Sequence, residues 1–154
     1  AFIGNLSTNW IGGQTTWFTY ASDARVKNEV AEDVQGLDFI KLLRPVTYHL
    51  DISAMSSITG NKETEDYPGK YDVEKIKQSG FLAQEVAHAA IASGYSFSGV
   101  TIPENDHELY TVSYAQFVVP LVKAAQEQQV MIDDLKKSNA DLLVRLEALE
   151  KKIQ

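Results

Sequence analysis

The sequence contains no cysteine and only 4 prolines and 9 glycines in 154 residues. Disulfides therefore cannot contribute to stability, and the composition is compatible with either a reducing or an oxidising compartment. A chain of this length can bury enough apolar surface to fold without covalent cross-links. It accounts for about one domain.

Positive charge and long apolar runs are also scarce. Lys and Arg number 14 against 21 Asp and Glu, which gives a formal net charge of −7. Nucleic acids and anionic membrane surfaces require clustered basic residues, so the balance argues against both as partners and favours a solvated acidic surface. No apolar run approaches the roughly 18 residues of a membrane-spanning helix.

The sequence also lacks the patterns of metal and phosphate sites. His49, His88 and His107 stand singly, without a second histidine or a carboxylate at ligand spacing. The glycines form neither of the common phosphate-binding motifs. We predict no metal and no cofactor.

Residues 1–21 hold both tryptophans and carry no charged side chain. The segment 15–20 is dense in β-branched and aromatic residues and follows turn chemistry at 11–14, which predicts the end of a β-rich stalk. A single short strand needs a larger β structure or other copies to pack against. Because the chain does not begin with Met, we expect it to be the C-terminal part of a longer polypeptide.

Residues 22–120 alternate between short apolar patterns and polar stretches. The spacing of apolar residues predicts a helix at 37–43 that ends before Pro45, and period-two alternation predicts a strand at 46–52. The polar stretch 53–79 indicates an extended arm or a mobile insertion.

A short strand at residue 80 is expected to lead into an Ala-rich helix that stops before Gly94. A second polar stretch spans 93–106. A strand is predicted at 109–112, and Ser113 is placed to cap the helix that follows it.

The C-terminal helix carries a heptad pattern that continues to the end of the chain. Its polar a position, Asn139, is of the kind that fixes register and strand number, and Leu143 widens the apolar stripe. This favours a free intermolecular coiled coil, with three strands, over a helix lying on its own domain. We call the following residues the seam: Ile132, Leu135, Asn139, Leu142, Leu146, Leu149 and Ile153.

Together these patterns predict an α+β fold. A small mixed domain with extended polar arms occupies 22–120. A β-stalk segment precedes it at 1–21, and a C-terminal helix that forms a trimeric coiled coil follows at 121–154.

Ser22 and Lys27 lie where the uncharged segment meets the charged domain. A serine becomes a nucleophile when a neighbouring base takes its proton, and a neutral lysine can be that base. The five-residue spacing alone proves nothing, because it fits neither a strand face nor a helix face. A turn or a bulge must join the two residues, or Lys27 of one chain serves Ser22 of another.

Four groups of residues occur in order along the chain: Ser22-Asp23-x-Arg25-x-Lys27, then Leu42 to Tyr48, then Gly80 to Val86, then Tyr114 with 121–127. Together they resemble the C-terminal intramolecular chaperone domain of the endosialidase and tail-fibre type, the S74 peptidase family. The likeness covers 22 to about 128. The family occurs at the ends of phage tail fibres and tailspikes, of bacterial surface proteins and of a eukaryotic membrane-tethered transcription factor.

The resemblance implies a homotrimer that holds upstream chains of the same polypeptide in register while they fold into a β-rich fibre. It also implies release by a Ser-Lys dyad, with Ser22 as nucleophile and Lys27 as general base. Attack of Ser22 on its own preceding carbonyl would break the bond between Ala21 and Ser22. Cleavage on the other side of Ser22 stays open. The implied location is a virion tail fibre or a bacterial cell surface.

Four further residues are candidates for supporting the dyad. Asp23 would hinder the loss of a proton from Lys27 if its carboxylate faced the amine, so we expect it to face Arg25 or backbone amides. Gln84 and Glu85 match the family pattern, and either support the dyad or order their helix. The alternative function is a trimeric adhesion tip that keeps the fold without cleaving.

Overall fold

The structure, a computed structural model, describes residues 22–60 and 67–153. The predicted stalk at 1–21 and residues 61–66 lie outside the described residues. The α-helices are α1 (Leu37–Ile40), α2 (Ile52–Thr59), α3 (Ala83–Ala92) and α4 (Val118–Ile153). The strands are β1 (Val46–Tyr48), β2 (Gln78–Gly80), β3 (Val100–Thr101) and β4 (Thr111–Val112). Short 3-10 helices lie at Ala24–Val26, Asp72–Lys75 and Tyr114–Phe117. The predicted α+β class is confirmed.

The strands form two small antiparallel sheets. β1 pairs with β2, with Val46 opposite Gly80, and β3 pairs with β4, with Val100 opposite Val112. Gly80 permits a close approach of side chains, since a Cβ there would lie 3.2 Å from carbons of both Tyr48 and Tyr114. The β1–β2 sheet is thus fixed to the residues that precede α4.

The core is an aromatic cluster around Phe39. Its ring lies 4.9 Å from that of Phe97 and 5.3 Å from that of Tyr95, and Phe117 stacks at 6.2 Å. The buried face of α3, including Val86, closes the cluster. Burying rings of this size supplies much of the stability of a small domain.

One face of α4 belongs to this core. Pro120 and Ala124 are buried, as is Phe117 at the end of the preceding 3-10 helix, at spacings of three and four residues, whereas α4 is exposed from 128 onward. The apolar seam residues are between 44% and 86% exposed in the single chain. Among the described helices, none combines the length and apolar character needed to cross a membrane.

Two element boundaries differ from the predictions. The helix predicted at 37–43 ends at Ile40 and continues only as turns. The strand predicted at 46–52 ends at Tyr48, because Asp51 accepts a hydrogen bond from the amide of Ala54 at 2.7 Å and starts α2. Burial nevertheless alternates through residue 52 as the pattern predicted.

The polar stretch 53–79 is more ordered than expected. In its described part it contains α2, the 3-10 helix Asp72–Lys75 and the start of β2. Gly60 adopts φ 67 after α2, the left-handed conformation that glycine tolerates at a helix end. Ser113 precedes its helix as expected, but its side chain makes no capping hydrogen bond.

Candidate active site

Residues 22–27 form a single tight turn. Asp23 occupies the N-cap of the 3-10 helix Ala24–Val26, and its Oδ1 accepts a hydrogen bond from the amide of Arg25 at 2.9 Å. The amide of Val26 donates to the carbonyl of Asp23, and that of Lys27 donates to the carbonyl of Ala24. The turn predicted between Ser22 and Lys27 is therefore confirmed as one turn of 3-10 helix.

This turn brings the two predicted catalytic side chains together within one chain. Lys27 Nζ lies 2.9 Å from Ser22 Oγ, with the amine donating to the hydroxyl. That separation is within the range at which a general base takes a proton from a nucleophile. Both residues are exposed in the single chain. The single chain therefore contains the contact between Ser22 and Lys27 while the lysine is exposed.

Asp23 faces Arg25, as expected from the need to keep its charge from Lys27. Its Oδ1 accepts from Arg25 Nε at 3.0 Å, and its Oδ2 accepts from Nη2 at 2.6 Å. The side-chain and backbone donors of Arg25 together lower the pKa of Asp23. The carboxylate next to the dyad is thus held as an anion in a forked pair with the guanidinium.

Gln84 and Glu85 lie at the start of α3. Glu85 accepts two hydrogen bonds from the guanidinium of Arg44, one of them 3.1 Å long from Nε. This pairing lowers the pKa of Glu85 and raises that of Arg44. Gln84 lines a cavity together with Tyr48 and Tyr110. The contacts of Glu85 tie α3 to the chain before β1, and a supporting role of either residue in catalysis stays a prediction.

The chain leaves the dyad along an exposed path toward α4. Every residue from 22 to 33 is exposed, and Glu29 adopts a left-handed backbone conformation with φ 52. Residues other than glycine seldom adopt this conformation. Past this bend, Ala31 and Val34 border a cavity of about 390 Å³ beside Val119 and Val122 of α4. We call this cavity the groove.

A contact missed from the sequence fixes the other side of α4. Glu127 Oε2 accepts a hydrogen bond from the amide of Leu37 at 2.7 Å, at the start of α1. A Cβ on Gly36 would lie 2.8 Å from the carboxyl carbon of Glu127, so glycine leaves room for this approach. The two residues joined are 90 positions apart. Nothing in the sequence pattern of either segment signals the pairing.

Metal ligands do not assemble in the part of the chain that the structure describes: it holds no group of three or more His, Asp or Glu side chains positioned for an ion.

A serine hydroxyl held against a lysine amine is the arrangement of a serine-peptidase-type site. Residues 22–95 match the model of the Peptidase S74 family, described as chaperone of endosialidase, which supports the resemblance found in the sequence. The match begins at the serine of the pair. Searches of curated proteins and of solved structures found no match.

Proposed function

We propose that this chain is a self-releasing intramolecular chaperone. It assembles as a homotrimer, holds an upstream β-rich fibre of the same polypeptide in register during folding, and then cuts itself off next to Ser22. The observation that carries the proposal is the 2.9 Å contact between Lys27 Nζ and Ser22 Oγ, at the residue where the family match begins.

The cleavage chemistry follows from this pair. Neutral Lys27 takes the proton of Ser22 Oγ while the oxygen attacks the carbonyl carbon of Ala21. The amide bond to Ser22 nitrogen breaks, the proton passes to that nitrogen, and an ester joins Ala21 to Ser22 Oγ. Water then hydrolyses the ester. The upstream chain leaves as a carboxylate, and Ser22 becomes a new N-terminus.

Exposure of Lys27 explains why the reaction would wait for assembly. A lysine acts as a base only in its neutral form, and contact with water favours the charged form of an amine. Burial lowers the pKa of a lysine because it disfavours the charged form. We propose that trimerisation supplies this burial, so that cleavage follows assembly.

The seam supports three-stranded assembly. Its apolar residues follow a heptad spacing on a helix that continues 36 residues without interruption, and they are exposed in the single chain. Heptad residues of this kind are buried by partner helices. Three identical helices related by a three-fold axis along the seam run parallel and form a closed assembly.

The test is the intact mass, under denaturing conditions, of the wild-type chain after trimers have formed. Ser22→Ala and Lys27→Met are compared with Ser57→Ala and Lys77→Met, which alter exposed residues in other parts of the domain. We expect the wild type and both controls to split next to Ser22 and the two dyad variants to stay whole. N-terminal sequencing of the larger fragment identifies the bond.

A wild-type chain that trimerises and stays whole would contradict the proposed cleavage and favour the non-cleaving adhesion tip. Cleavage of the wild type at equal rates in monomer and trimer would contradict the dependence on assembly. Light scattering of the same samples gives the number of chains in each particle and separates these two results.

A further inference from the structure

The side of α4 that borders the groove carries two exposed valines at the height of the folded domain. In the heptad register of the seam, Val119 is a b position and Val122 an e position. They are 55% and 52% exposed. Further along, the b positions are Gln126, Asp133, Ala140 and Glu147. Among the b positions, a large apolar residue therefore occurs only at Val119, where the folded domain packs on α4; the e positions are apolar at Val122 and again at Leu143.

The domain itself lies on the other side of α4. The helix residues that pack against it or bond to it are Phe117, Pro120, Ala124 and Glu127. In the same register these are g and c positions. Each α4 thus carries its own domain beside its g positions and the groove beside its e positions. The a and d positions of the seam lie between these two sides.

In a parallel coiled coil, the g side of one helix faces the e side of the next. Around a three-fold axis every chain meets its neighbour in this way and at the same height. The domain attached beside the g positions of one chain must therefore lie next to Val119 and Val122 of its neighbour. We propose that the folded domain of a second copy fills the groove. This inference rests on the proposed trimer.

The consequence reaches the dyad. One wall of the groove is formed by Ala31 and Val34, and the same segment leads back through exposed residues to Lys27 and Ser22. A neighbouring domain seated in the groove covers this side of the molecule and removes water from around Lys27. The site is built from residues of one chain, but it is incomplete without the second.

A single introduced thiol tests the contact, because the chain has no cysteine of its own. Val119→Cys places the thiol at a b position in the groove, and Ala140→Cys places it at a b position beyond the domain. Trimers isolated by size exclusion are treated with iodoacetamide, and labelling is followed by mass spectrometry. We expect Cys labelling at 119 to be slower by about tenfold or more than at 140, as for a group exposed only by local opening.

Two controls identify the source of the protection. Denatured samples should label equally at both positions. Adding Leu135→Asp and Leu142→Asp, which place charges in the seam, should give monomers in which labelling at 119 is fast again. Protection that persists in these monomers would come from residues 31–34 of the same chain and would overturn the proposal. Equal labelling at both positions within trimers would also overturn it.

A second measurement follows the effect on cleavage. Val119→Asp should slow self-cleavage by about tenfold or more, because a charge in the groove hinders seating of the neighbouring domain and leaves water around Lys27, while Ala140→Asp should leave the rate unchanged. An unchanged rate in trimeric Val119→Asp would count against the coupling between groove and dyad. If light scattering gives the mass of a single protomer at every concentration, the chain does not trimerise. This result overturns the proposed trimer together with the inference.

Discussion

Replacing Glu127 by Ala removes the hydrogen bond that holds the long helix to the start of α1. Glu127 Oε2 accepts from the amide of Leu37 at 2.7 Å, and Leu37 is buried. The same carboxylate lies 3.8 Å from Lys123 Nζ. The substitution therefore leaves a buried N–H group without its acceptor and also removes a partly exposed ion pair.

The magnitude follows from these two contacts. A buried amide that loses its partner costs about 1–3 kcal/mol. The ion pair adds at most about 0.5 kcal/mol, because the side chain of Lys123 is 42% exposed and solvent screens the charges. We expect the free energy of unfolding to fall by about 1–3 kcal/mol per chain. Glu127→Gln keeps an oxygen acceptor and should lose about half as much.

Urea unfolding followed by circular dichroism measures this loss. With a urea m value of about 2 kcal/mol per molar, the midpoint should fall by about 0.5–1.5 M. All samples are compared at one protein concentration, since subunit assembly makes the apparent stability depend on concentration.

Glu147→Ala is the matched control, because Glu147 is exposed on α4 beyond the domain and the change in helix propensity is the same. If Glu127→Ala and Glu147→Ala have midpoints that agree within error, the hydrogen bond to Leu37 does not stabilise the joint. Other contacts, and not this hydrogen bond, would then fix α4 to the domain.

Three further substitutions test the packing at Gly36, the ion pair of Arg44 with Glu85, and the polar seam residue Asn139. Gly36→Ala should destabilise the fold by about 1–3 kcal/mol in the same urea assay, because the new Cβ would lie 2.9 Å from the backbone nitrogen of Ala124; an unchanged midpoint would contradict the close packing. Arg44 lowers the pKa of Glu85 below its ordinary value of 4.5, so this pair stabilises the fold above that pH and the stabilisation is lost as pH falls through the lowered pKa. The thermal midpoint of the wild type should then fall more steeply with acidification below pH 4.5 than that of Arg44→Met, and parallel curves would count against it. Asn139→Ile should raise the thermal midpoint of the assembled coil and broaden the distribution of particle masses seen by light scattering, because a polar a residue costs stability and specifies strand number; a single mass of three chains in the variant would assign that specification to other residues.

The sequence predicted the helical elements best where their pattern was long or strongly periodic. The seam helix and the Ala-rich α3 are confirmed, and the burial alternation at 46–52 is correct. The strand length was wrong because Asp51, a residue of the apparent strand, has a side chain that caps α2. The helix α2 itself was missed because its Ile, Ser and Thr residues have only moderate helix propensity and the helix lies in a polar stretch.

The site was predictable in part. The spacing of Ser22 and Lys27 gave no geometry, and the family resemblance supplied the pairing that the 3-10 turn then shows at 2.9 Å. Asp23 was expected to turn toward Arg25 because an anion beside Lys27 would keep the amine charged, and it does. Contacts between distant segments, such as Phe97 with Phe39, depend on how the chain closes and could not be derived from local pattern.

The continuity of α4 limits how three chains can slip against one another. A shift of one residue along an α-helix turns its side chains by about 100°, so a slipped helix would aim its attached domain away from the neighbour. Only a shift of a whole heptad, about 10.5 Å, nearly restores the facing, and it would move Asn139 opposite leucine or isoleucine layers. In the proposed trimer, the domain of each chain therefore faces its neighbour only when the three helices are in the correct register. Cleavage that needs a correctly seated neighbour would then proceed only in trimers with that register.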